Sequence, residues 1–134
     1  MTYVNWGWMS LIILGILVFP YILKRLNKYR KSIDKSKNNC YIKTIKFFRK
    51  IHKPLGLSLI IIPLIHGYMA LGALRLHTGL ILYLSALTTA LLGGAFYKTK
   101  NKNFFTWHKR MAVITILFFL IHFFAPNAIY YLLN

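Results

Sequence analysis

Four histidines lie in stretches that are otherwise apolar. "IHKPLGLSLIIIPLIHG" (51–67) carries His52 and His66, and "WHKRMAVITILFFLIHFF" (107–124) carries His108 and His122. Ionisable groups are costly in hydrocarbon and mark functional sites when they occur there. Fourteen residues separate the two histidines in each stretch. On an α-helix that is a rise of about 21 Å and a rotation within about 40° of four whole turns. Each helix therefore shows two imidazoles on one face at two depths. An iron held equatorially by a porphyrin takes its axial ligands from opposite sides, and imidazole is a common one. Zinc or copper normally recruits more than two protein ligands, and the chain has a single acid, Asp34, far from either stretch. The pattern points to two b-type haems, one on His52 and His108 and one on His66 and His122.

The elements that would carry these ligands are four apolar runs of membrane-spanning length, at about 4–23, 51–74, 77–97 and 105–125. They predict an all-α, polytopic membrane protein, a four-transmembrane-helix bundle forming one domain over 1–134. The second and fourth spans are separated by one other span, so they run in the same direction. His52 is then level with His108, and His66 with His122. The 24–50 connection and the short "KTKNK" are rich in Lys and Arg, whereas the connection between the second and third spans holds only Arg75. The positive-inside rule puts the basic connections in the cytoplasm and both termini outside. His52 and His108 become the inner level, and the protein is expected to be a multi-pass protein of the cell membrane.

The chain is 57% hydrophobic and carries 18 Lys and Arg against its one acid, a formal charge of +17. On a soluble chain that charge would suggest nucleic acid; the spans exclude that reading, and the clustering of the cations marks topology instead. The 24–50 loop reads first as that topology signal. Its "YIKTIKFFRK" portion could also lie on anionic lipid or receive an acidic partner. Cys40 is the only cysteine, so neither an intrachain disulfide nor a C-x-x-C-H haem attachment is available. The N-terminus has no positive n-region or cleavage site, so the first run is expected to stay in the mature protein.

Residues four positions on share a helical face. For the histidines these are Gly56, Ala70 and Ala112, with Pro126 as the fourth. Small residues there would let a flat macrocycle approach the backbone. Leu59 and Thr115 fall midway between the levels, with Pro63 and Phe119 one turn further out, and Pro63 is expected to bend its span. Haem carboxylates would need cations: Lys50, Lys53, Lys109 and Arg110 at the inner level, and Arg75 outside, helped by His77. Arg75 could instead snorkel to headgroups, and His77 could be an ordinary interfacial residue. No internal repeat beyond the paired histidine helices is evident.

"HKPLGLSLIIIPLIHGY" and "WHKRMAVITILFFLIHF", with the intervening "TGLILYLSALTTALLGG", resemble the haem-bearing core of ferric reductase-like transmembrane domains and, more broadly, membrane b-type cytochromes. The resemblance covers about residues 50–124 and implies that His52, His66, His108 and His122 are axial ligands of two stacked b haems with electrons crossing between them. Such reductases usually carry more spans and a flavin- and nicotinamide-binding module, and no G-x-G-x-x-G fingerprint is present here. The expected function is transmembrane electron transfer, from a cytoplasmic flavoprotein reductase or a membrane quinol to an extracytoplasmic acceptor. Homo- or hetero-oligomeric assembly is compatible with it, and haem-dependent reduction at the outer face stays open. The rivals are a non-catalytic membrane anchor subunit with one haem or none, and a histidine-relay proton or ion transporter. A serine hydrolase is disfavoured because no acid stands near a histidine in the spans.

Overall fold

The computed structural model describes residues 2–30, 38–72 and 77–133. Asp34 and Arg75 lie outside the described residues. Four long helices dominate: α1 Tyr3–Arg30, α2 Asn38–Leu71, α3 Thr78–Thr99 and α4 Lys102–Phe124, followed by a short α5, Ala128–Leu133. All four long helices are long and apolar enough to cross a membrane. Among the described residues there is no strand. This is the expected all-α four-helix bundle, and the chain is a membrane protein.

The basic 24–50 connection departs from its expectation as a loop. α1 continues to Arg30 and α2 begins at Asn38, thirteen residues before the expected start of the second span. Hydropathy detects where a helix stops being apolar, not where it stops being a helix. Lys and Arg are good helix formers, so the cations end the apolar run without ending the backbone pattern. α2 also runs unbroken through Pro54 and Pro63. α5 was not anticipated by the apolar pattern.

The bundle is two antiparallel hairpins. In the first, Gly7 of α1 approaches His66 of α2, and Phe19 meets Phe48 with ring centres 5.2 Å apart. In the second, Gly79 approaches His122 and Gly93 approaches His108, and Phe96 meets Phe105 at 4.9 Å. The turn between α3 and α4 is Lys100–Asn101. Lys100 adopts a left-handed φ of 58° and gives its N–H to the Phe96 carbonyl, while the Asn101 side chain accepts from the Asn103 N–H. The two hairpins meet along α2 and α3 more lightly than the helices pack within each hairpin, and the backbones of the histidine-bearing α2 and α4 scarcely approach.

The interior is inverted relative to a soluble protein. The most buried side chain described is Thr115 at 3% exposure, with Thr78 and Ser85 at 5%, while Leu57, Leu91 and Phe124 face outward. Lipid is as apolar as leucine, so nothing drives leucines inward; small and hydroxyl-bearing residues let helices approach. The Thr115 and Ser85 hydroxyls are satisfied within their own helices. Thr115 bonds the Met111 carbonyl and Ser85 that of Leu82. Thr89 and Thr115 also meet across the α3–α4 seam at 3.1 Å.

Candidate functional site

At the inner level His52 of α2 and His108 of α4 face each other with ring centres 6.2 Å apart and planes at 75°. The pair would hold one metal atom between the two rings, since a ligating imidazole nitrogen lies about 2.0 Å from its metal. His108 Nδ1 lies 2.8 Å from the Thr89 carbonyl oxygen. A carbonyl can only accept, so Nδ1 carries the proton and Nε2 keeps its lone pair.

The outer level repeats the logic with different partners. His66 Nδ1 donates to the Tyr3 carbonyl at 2.8 Å. His122 Nδ1 lies 2.9 Å from Thr78 Oγ1, and that hydroxyl gives its own hydrogen to the Pro126 carbonyl at 2.6 Å. With its hydrogen spent, Thr78 accepts from His122. Three of the four span histidines are thus fixed as the Nδ1–H tautomer, with Nε2 available as a ligand. Metal-binding histidines are oriented by such outer bonds.

Between the helices in the outer half lies a cavity of about 400 Å³, walled by His66, Ala70, Gly79 and His122 and reaching Thr115 and Phe119 at mid-depth. Its volume is in the range of small-molecule and cofactor sites. Leu59 and Pro63 also line it, so all four residues expected between the two levels stand on its wall.

Of the small residues one turn on from the histidines, Ala70 lines the cavity, a Cβ on Gly56 would meet open space, and Ala112 is half-buried off the cavity wall. The close approaches come from neighbouring helices. A Cβ on Gly7 would lie 3.0 Å from His66 Cε1, one on Gly79 3.1 Å from His122 Cε1, and one on Gly93 3.0 Å from His108 Nδ1. These three glycines, with Thr78, Thr89 and the Tyr3 carbonyl, are the site residues that reading each histidine helix alone missed. One signal was present: Gly79 and Gly93 are also fourteen residues apart.

Lys109 and Arg110 are exposed at the inner end, lying over the Phe105 ring at 4.8 Å and the Trp107 ring at 5.1 Å. Lys50 is exposed as well, and Lys53 sits over Tyr97 at 3.5 Å. His77 stands at the cavity wall with its ring centre 5.9 Å from that of His122. Both of its nitrogens are engaged. Nδ1 accepts from the Gly79 N–H as the N-cap of α3, and Nε2 faces Asn127 Oδ1 at 3.4 Å. His77 is an α3 cap beside the site.

Among the described residues no group of three or more His, Cys, Asp or Glu side chains converges as a metal site. A bare ion therefore has too few protein ligands here, whereas a macrocycle brings its own four and needs two. The donor set, the inner ring spacing and the outer cavity fit haem. Compared with family models, curated proteins and solved structures, the chain matches none.

Proposed function

We propose that this chain is a transmembrane electron conduit of the b-type cytochrome kind, as its likeness to ferric reductase-like transmembrane domains suggests. His52 and His108 would hold an inner haem and His66 and His122 an outer one. The observation that carries the reading is the commitment of Nδ1 on His66, His108 and His122 to fixed acceptors on other helices, which leaves Nε2 as the ligating nitrogen at both depths. Haem, when bound, supplies a one-electron iron couple. The chain's own residues fix the imidazoles, separate the two levels by about 21 Å along the helices, and keep water from them with apolar walls. The asymmetry of cations orients the protein in the cell membrane with both termini outside and the basic hairpin in the cytoplasm. A flavoprotein reductase or a quinol would supply electrons, and an extracytoplasmic acceptor would take them.

The test is haem content. Protein purified from haem-replete cells is expected to show a b-type spectrum with two haems per chain. A colourless preparation that is folded and helical by circular dichroism would refute the reading.

A finer prediction concerns Thr78. In Thr78→Val the His122 Nδ1–H loses its acceptor, and loss of such an outer bond typically costs 10–100-fold in metal affinity. Haem titration of the apoprotein is expected to show that weakening at one of two sites, with Thr78→Ser restoring it. Equal weakening at both sites would mean that Thr78 acts on the bundle as a whole.

A further inference from the structure

The four helices match in level at one end only. At 1.5 Å per residue, α3 and α4, with 22 and 23 residues, are about 33 and 35 Å long. That suits a hydrocarbon core of about 30 Å. α1 and α2, with 28 and 34 residues, reach about 42 and 51 Å. The excess lies at the inner end. His52 and Gly93 both touch His108, which sets their common level. From there α3 continues six residues to Thr99 and α2 fourteen residues back to Asn38. The α1–α2 hairpin thus overhangs the α3–α4 turn by eight residues, about 12 Å.

The overhang and the α2 turns just below it are strongly basic. Lys24 and Arg25 on α1 and Lys43 on α2 lie in the overhang, and Lys46, Arg49 and Lys50 follow beneath it on α2; all six are exposed. The α3–α4 turn beside it adds exposed Lys98, Lys100 and Lys102. Wall and floor form a cationic step directly over the inner histidine pair, with Lys50 two residues from His52. Apolar side chains stand among the cations, with Ile42 43% and Phe47 59% exposed.

We propose that this step is a docking surface for a soluble redox protein whose acidic face surrounds its electron-carrying group; the proposal rests on the electron-conduit reading and names the partner of its inner level. Two observations favour a protein over lipid. The basic part of α2 is continuous with its apolar part as one helix, so it projects from the end of the bundle, whereas interfacial helices lie in the membrane plane. The headgroup zone is also only about 5–8 Å deep on each side, so the tip of the overhang outreaches it. Complementary charge speeds encounter and sets orientation, and exposed apolar residues amid the charges supply desolvated anchors.

The experiment uses the full chain in phosphatidylcholine nanodiscs, with an acidic flavodoxin as probe. Binding is measured directly, and haem reduction by reduced flavodoxin is followed by stopped flow. The double variant Lys43→Glu/Lys46→Glu is expected to bind at least tenfold more weakly and to be reduced at least tenfold more slowly. Wild-type binding is expected to weaken with salt, while haem content and reduction by dithionite stay unchanged in the variant. Flavodoxin binding that is absent, or indifferent to the charge reversal, overturns the proposal. So does native mass spectrometry in which the variant loses bound anionic lipid while flavodoxin reduces both proteins equally. A preparation without haem that still binds flavodoxin through these lysines keeps the docking surface and rejects the electron-conduit reading.

Discussion

Replacing His108 with alanine is expected to leave one haem per chain, and replacing His66 with alanine is expected to leave the other one. His108 is paired with His52 at 6.2 Å and held by the Thr89 carbonyl. His66 is held by Tyr3 on a different helix and opens on the outer cavity. The two sites share no ligand, so losing an axial imidazole at one depth leaves the other depth intact. The two single-haem proteins are expected to differ in spectrum and potential, because Lys53, Lys109 and Arg110 stand near the inner pair while the outer pair lines a mostly apolar cavity. His77→Ala is the informative companion. Its ring is 5.9 Å from His122, a spacing that would also suit two axial ligands, yet both its nitrogens are engaged in capping α3 and contacting Asn127. The variant is therefore expected to keep two haems and to cost only the cap, about 1 kcal/mol of stability. Haem counts on the three purified variants decide the pairing. If His77→Ala lost the outer haem while His66→Ala kept it, the outer ligand would be His77.

Counting along the sequence places what depends on one helix and on the order of the spans. A fourteen-residue spacing is a property of one helix and relative direction follows from span order, so the meeting of His52 with His108 followed from counting. The extent of α2 did not follow, because "YIKTIKFFRK" satisfies helix propensity and fails hydropathy at once. The close packing against the imidazoles did not follow either. Position i+4 shares a histidine's face, as Gly56 and Ala112 do, but what touches an imidazole that points away from its own helix is the helix opposite. In the antiparallel α3–α4 hairpin that partner helix must repeat the spacing in reverse. Gly79 against His122 and Gly93 against His108 do so. The Thr78 link from His122 to Pro126 had no local signature, since it joins the start of α3 to the end of α4 and depends on where two chain turns meet.

That opposed spacing makes a prediction sharp enough to separate a haem site from ordinary helix packing. Gly93 and Gly94 are neighbours in the same helix, and in an exposed helix interior glycine to alanine is favourable by about 0.5–1 kcal/mol. At Gly94 a new Cβ would meet nothing within 4 Å, so Gly94→Ala is expected to be neutral or slightly stabilising with both haems kept. At Gly93 the same methyl would sit 3.0 Å from His108 Nδ1 and 3.2 Å from its Cε1, so the ring must give by a few tenths of an ångström. That shift strains the 2.8 Å bond from Nδ1 to the Thr89 carbonyl that fixes its tautomer, and such outer bonds tune metal affinity. Gly93→Ala is accordingly expected to weaken haem binding at the inner level and to leave the outer level alone. Gly79→Ala, with its Cβ 3.1 Å from His122 Cε1, is expected to do the reverse. The measurement is haem titration of the apoproteins beside thermal unfolding. Were Gly93→Ala to destabilise the bundle with both haem affinities unchanged, the glycine would serve only the fit of α3 against α4, and the imidazole it faces would lose its standing as a ligand.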